Sequence, residues 1–541
     1  MLRFAVFDDF APAAECSLRH ACLLDKDQAA LPSEIVFKDG VIECLKPTPD
    51  AVAFAMQYDA GACGRLTLQT TLLPDSDLPY LLDIELARHR IAILINATFE
   101  TSSVTHTLPD DHPLFAQVDQ AIDMFTDALG EPAASFGRYT PEQAALARKA
   151  LVMAIEASEA LALMQSRHQL QERFQGAERA KAATAIDPNI QPTLAEILPP
   201  IGCAVDNEIF APALQKIIAD NFEFVVSPMR WNEIEPEEGR YDFRRTDLWI
   251  RWAVDQAKRP VVSGPLIDLS PRSLPDWLLI WTHDYETLRE FAFEHVTRVV
   301  KRYKKAVSRW TIISAPSLGD GVDLSLDQWV DLTRLAALAV RKHAPSGTRL
   351  TVELPHPFPR HPGGNTPAVM PRLFADMLIH AGVQADAYGI RLQMGDLVPG
   401  RDARDIMQVA TMLDDFATLE RPIHISAFGV PSEPIAPTKD APCPGCWREP
   451  WSPEIQTAWL EAVLALCASR PYVASIAWQA LYDAKGDPEM PFGGLISAAG
   501  RAKPSLQRMA ETARAIRTRN VPTVLLNADP VQSAGSAVSS S

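Results

Sequence analysis

The chain is short of positive charge. Its 541 residues carry 51 Lys and Arg against 68 Asp and Glu, a formal net charge of −17. Phosphate backbones and anionic membranes both require a basic footprint, so neither nucleic acid nor a membrane surface is an expected partner. Long apolar runs are also missing. The nearest approach to a membrane span, residues 151–164, is interrupted by Glu156, Ser158 and Glu159. The opening residues lack the long apolar core of a signal peptide, which makes the cytoplasm the expected location. The eight cysteines are scattered, and only Cys443 and Cys446 have ligand-like spacing. With no second Cys or His pair nearby in sequence, free thiols or a local disulfide are expected there, not zinc. No metal site and no cofactor is expected.

What is present is the composition of a soluble globular protein, 47% apolar and 22% charged. The length implies two or three domains. Residues 1–111 alternate with period two between turn signals, as in 34–37, Lys38-Asp39-Gly40 and 41–44, then 64–70, 80–86 and 90–95. This predicts a β-sandwich-like domain that either packs against the rest or binds sugar. Residues 112–180 predict a helical hairpin. One arm is 113–129. The other opens at Thr140-Pro141-Glu142-Gln143, a capping box with proline at the first helical position, and runs to about Arg173. It reads as a spacer, with a homo-oligomer contact as the rival reading. Residues 181–198 read as a linker and 518–541 as a disordered tail.

Residues 199–517 alternate strand and helix. Strands are expected at 201–205, 222–227, 260–264, 309–314, 349–353, 388–393, 422–427 and 474–478, and helices at 285–303, 326–343, 402–416, 453–469 and 505–517. Eight such units predict a closed (β/α)8 barrel, an α/β fold with its site at the C-terminal ends of the strands. Those ends carry Arg230 and Trp231 after strand two, Asp268 after strand three, Ser314 and Ala315 on strand four, and Glu353 on strand five. Gln393 and Asp396 follow on strand six, Ser426, Ala427 and Glu433 on strand seven, and Trp478 on strand eight.

Five stretches in order resemble the catalytic domain of glycoside hydrolase family 10, the xylanase family. Met229-Arg230-Trp231 with residues 234–243 is similar to that family's Met-Lys-Trp and Ile-Glu-Pro-x-x-Gly-x-Tyr-x-Phe. Residues 302–304 leading into 310–315 are similar to its Arg-Tyr-Lys and Trp-Asp-Val-Val-Asn-Glu. Residues 389–395, 422–429, and 478–483 with Lys503-Pro504-Ser505, supply the rest. The resemblance spans about 201–517 and implies a barrel acting on a β-1,4-linked glycan such as xylan, an oligosaccharide or polysaccharide partner.

The departures gather at one place. The resemblance puts the family's acid/base glutamate at Ala315 and its nucleophile at Ala427. It also puts Ser314, Pro265, Arg230, Ser227 and Gly395 at supporting positions. Retaining hydrolysis needs two carboxyls about 5–5.5 Å apart, so a degenerate, non-hydrolytic glycan-binding barrel is the leading expectation. The alternatives are an active hydrolase using relocated carboxylates (Glu353, Asp396 or Glu433) and a structural scaffold. Glu353 and Asp396 also read as a salt-bridged rim with Arg230, Arg360 or Arg391, and His356 and His361 as loop packing. Arg230, Trp231, Gln393, Trp447, Trp451 and Trp478 are the expected sugar-binding residues, since indole faces suit sugar C–H surfaces.

Overall fold

The computed structural model describes residues 1–8, 11–130, 139–316, 322–358, 370–398, 400–436, 444–483 and 490–528. Its N-terminal part holds two sheets. Strands β1 (Leu2–Ala5), β4 (Glu34–Lys38), β5 (Val41–Leu45) and β8 (Tyr80–Leu81) form one, in the order β4-β5-β1-β8. The other contains β2 (Cys22–Leu24), β3 (Ala30–Leu31), β6 (Ala53–Asp59) and β7 (Gly64–Gln69). Asp39 and Gly40 both have positive φ, the turn that suits a two-residue hairpin between β4 and β5. Phe4 stacks on Phe54 across the two sheets, with ring centroids 4.9 Å apart.

The stretches 80–86 and 90–95 are not strands beyond Leu81. From Leu82 the chain is helix α1 (Leu82–Glu100). Leu82, Leu86, Arg90 and Leu94 recur every four residues and are all buried. That helical stripe coincides over 82–86 with an alternating pattern, which explains the false strand reading. After α2 (Ser102–Thr105) come α3 (Pro113–Leu129) and α4 (Pro141–Ile186). The Thr140–Gln143 capping box forms, and α4 continues 46 residues, into what reads in sequence as linker. Ala144, Ala147, Ala150, Ala154 and Ala157 are fully buried along it, and such small residues let neighbouring helices approach closely.

Strands β9 (Ile201–Ala204), β10 (Phe224–Ser227), β11 (Val261–Ser263), β12 (Val307–Ser314), β13 (Arg349–Leu354), β14 (Ala387–Gln393), β15 (Ile423–Gly429) and β17 (Val473–Trp478) close into an eight-stranded barrel. Every pairing in it is parallel. Helices lie between successive strands, among them Tyr285–Tyr303, Leu326–His343 and Pro453–Ser469. Residues 518–528 are folded, not a loose tail: helix Thr523–Leu526 buries Leu525, and residues 529–541 lie outside the described residues. Among the described residues no helix is long and apolar enough to cross a membrane.

The two parts are clamped together. The loop after β15 sends β16 (Cys446–Trp447) back to pair antiparallel with β7. Gly64 is required there. Its φ is +95°, and a Cβ would stand 2.5 Å from Arg448 N and Cys446 O. Arg90 of α1 pairs with Asp405 at 2.6 Å. Arg173 of α4 donates to the carbonyls of Ala468, Arg470 and Val473 beneath the last barrel strand. Cys443 lies outside the described residues, and Cys446 is half-buried in β16.

Candidate functional site

The mouth of the barrel opens into a cavity of about 390 Å³. Its rim holds Arg230 and Glu233 after β10, Asp268 and Arg272 after β11, and Gln479 and Tyr482 after β17. Glu353, Arg391, Gln393, Ser426 and Ala427 project from β13, β14 and β15. Parallel strands aligned in this way bring residues far apart in sequence to one rim, because every strand ends on the same face.

Glu353 is the centre of the polar network. Arg391 Nε donates to its Oε2 at 3.0 Å and Ser426 Oγ to its Oε1 at 2.7 Å. Asp268 accepts from Ser270 N at 3.0 Å. Burial pushes the Asp268 carboxyl above its ordinary range; Arg391 opposes the shift and Glu353 adds to it. Arg391 is thus ion-paired with Glu353 and close enough to act electrostatically on Asp268. Arg230 pairs with Glu233 at 2.6 Å, and Gln393 Nε2 donates to Gln479 Oε1.

The residues singled out from sequence fall into two groups. Arg230, Gln393, Glu353 and Ala427 line the cavity. Ala315 is buried at the end of β12, its N–H donating to the Glu353 carbonyl at 2.8 Å. Asp396 stands elsewhere, buried in an ion pair with Arg401 at 2.9 Å, and Glu433 is exposed outside the lining. Arg360 and His361 lie outside the described residues.

The four expected sugar-stacking tryptophans are corrected by burial. Trp231 is fully buried, stacked on His295 at 4.4 Å, with its indole N–H donated to Glu235. Trp478 donates to Gly493 O and packs against Phe428. Trp447 donates to Glu159 of α4 at 2.7 Å. Trp451 donates to Gly445 O and fills the space over Gly395, where a Cβ would stand 2.5 Å from its Nε1. Rings enclosed on both faces offer nothing for a sugar to stack on.

From sequence Asp268 reads only as a strand-end residue; its Asp-x-Ser turn five residues after β11 is the available signal. Arg272 had none. Arg309 and His424, which also line the cavity, are charged or titratable residues inside otherwise apolar strands, and that break in pattern was readable. Among the described residues no three His, Cys, Asp or Glu side chains stand together as metal ligands.

Residues 193–324 match the family described as Glycosyl hydrolase family 10. The barrel is family 10-like. A curated relative, Endo-1,4-beta-xylanase A of Xylanibacter ruminicola, is 31% identical over 143 residues, covering 24% of this chain and 38% of that protein. The chain thus matches well under half the length of this relative. Among solved structures, xylanase 10B from Thermotoga maritima aligns at 17% identity over 59% of this chain and 97% of its own, with a TM-score of 0.45. A family 10 protein from Paenibacillus barcinonensis aligns at 17% identity over 58% and 95%, with a TM-score of 0.46.

Proposed function

We propose that the cavity of this family 10-like barrel binds a β-1,4-linked glycan such as xylan without cleaving it by retaining double displacement. The observation that carries this reading is the pair Ala315 and Ala427 at the ends of the fourth and seventh barrel strands. A methyl group can neither attack an anomeric carbon nor donate a proton, and the retaining route needs two carboxyls about 5–5.5 Å apart. The xylanase relative and the polar, open cavity support the ligand class. Titration calorimetry with xylohexaose, run beside a reducing-sugar assay on xylan, tests it. Heat of binding without sugar release is expected. Release of products with retained anomeric configuration overturns it, and no heat with any β-1,4 oligomer leaves the barrel a scaffold.

One observation favours a second reading, an inverting hydrolase with relocated carboxyls. Asp268 is pushed toward its protonated form while Glu353 is held by a guanidinium. Carboxyls in contrasting environments are how one site supplies both acid and base. On this reading the wild type releases sugar with inverted configuration, and both Asp268→Asn and Glu353→Gln cut the rate by about 10²-fold or more.

A further inference from the structure

The cavity continues below its rim. The interior of a (β/α)8 barrel is ordinarily filled by layers of bulky branched side chains. Here the inward positions beneath Glu353 and Gln393 are Ala204, Val226, Val262, Thr311 and Thr351, and all five line the cavity. None of the five is larger than valine, and the cavity they line extends as a shaft below the rim. The mouth lies at the strand ends, so lining residues early in their strands are the deepest. Arg309, third in β12, and His424, second in β15, are the titratable ones among them. Phe224 of β10 packs over Gly202 beside them, where a Cβ would stand 2.5 Å from the ring, and Arg309 lies 5.8 Å from that ring's centroid.

The floor of the shaft is a cation among neutral groups. Arg309 Nη1 is 2.7 Å from His424 Nδ1, and Nη2 donates to Ser475 Oγ at 3.1 Å. Arginine can only donate, so a ring nitrogen of His424, Nδ1 or Nε2, accepts from it. Ser475 Oγ stands 2.8 Å from His424 Nδ1. Arg309 Nε has no partner, and among the described residues no carboxylate forms an ion pair with this guanidinium. Burial lowers its pKa only to about 10, so it stays charged at neutral pH. Burial and Arg309 together hold His424 neutral. Glu353 and Asp268 are engaged above, with Arg391. A buried charge without a counter-charge is costly, and here it faces a shaft open to solvent.

We propose that the shaft receives an oxyanion carried by the ligand, such as the carboxylate of an acidic sugar, with Arg309 as its anchor. This rests on the reading that the cavity is the ligand site, and it narrows the ligand from any β-1,4 glycan to one bearing an acidic group. A guanidinium fits such a group because its planar fork matches two oxygens at once.

The test is calorimetric titration at fixed ionic strength with four probes: sodium glucuronate, glucose, inorganic phosphate and xylotetraose. Glucuronate is expected to bind at least tenfold tighter than glucose, and Arg309→Met to abolish that preference. Arg309→Lys, which keeps the charge and loses the fork, should retain part of it. Arg309-dependent binding of phosphate but not glucuronate keeps the anchor and assigns a phosphate-bearing ligand. Equal binding of glucuronate and glucose with no phosphate binding, or oxyanion binding untouched by Arg309→Met, overturns the proposal. Xylotetraose reports separately on the glycan reading: heat with it but not with glucuronate or phosphate sinks the anchor alone. Arg309→Met removes a desolvated charge together with its hydrogen bonds to His424 and Ser475, so thermal melting of the variant is measured first. If it does not fold, the Arg309→Lys series decides, since equal oxyanion binding by that variant and by wild type counts against the fork.

Discussion

Glu159 and Glu353 are both buried glutamates with two or three donors, yet the chain treats them in opposite ways. Glu159 sits on α4 at the clamp between the two parts of the molecule. Its Oε1 accepts from the Trp447 indole at 2.7 Å and from Ile406 N at 3.0 Å, and Arg448 stands 3.4 Å from its Oε2. The first two donors have nowhere else to turn: Ile406 opens a helix, and Trp447 is locked in β16. Glu353 is met by Ser426 and Arg391, two side chains on the wall of an open cavity. Both can swing to a ligand, and water can replace them. Burial of a carboxyl alone therefore does not distinguish the cavity wall from the clamp; the setting of its partners does.

The sharpest way to break that contrast is to delete each carboxyl. Glu159→Ala strands two buried N–H groups, and at about 1–3 kcal/mol for each orphan the expected loss of stability is about 2–6 kcal/mol. Glu353→Ala strands groups that cavity water can reach, so about 1–2 kcal/mol is expected. Denaturant unfolding of the two variants measures both, and equal losses would dissolve the distinction between clamp and cavity. A smaller effect concerns Asp268. Its folded pKa is raised above that of the unfolded chain, so the folded state holds the proton more firmly. The associated stability is fully present below the ordinary aspartate pKa of about 3.9 and is lost as pH rises through the folded value. Asp268→Asn should therefore gain on wild type in melting temperature as pH is raised from about 3.5 to 7. A difference that stays flat across that window would remove Asp268 from the cavity's electrostatics.

The barrel was legible because most of its strands are short, largely apolar runs between turn signals, and because helices such as Leu326–His343 carry their own caps. Two things were not. Helix α1 hides behind a stripe that satisfies both periods at once, and only the packing against α3 and α4 decides between them. The inward faces of β12 and β15 were hidden for a different reason. Register shifts between Thr311 and Ile313, and between Ile425 and Phe428, break strict alternation. Consecutive residues Ser426 and Ala427 consequently both line the cavity. Trp447 and Trp451 misled because a long loop's destination is a tertiary fact. Nothing near them in sequence announces a partner strand at residues 64–69.

That destination sets the smallest and most discriminating expectation. Trp447→Phe keeps the ring that packs into the clamp and removes one indole N–H from Glu159. Loss of one hydrogen bond to a carboxyl costs about 1–2 kcal/mol, less than Glu159→Ala because Ile406 N and Arg448 keep their acceptor. Gln393→Ala is its counterpart on the cavity wall. There the amide's partner is Gln479, another rim side chain, so stability should hold while glycan affinity changes. Calorimetry and thermal melting on the two variants should give opposite results, with binding intact and melting lowered for Trp447→Phe. If Trp447→Phe melts like wild type and weakens glycan binding, then the loop after β15 belongs to the ligand site. The clamp and the cavity would then be a single functional surface, with the N-terminal sheets taking part in recognition through β7.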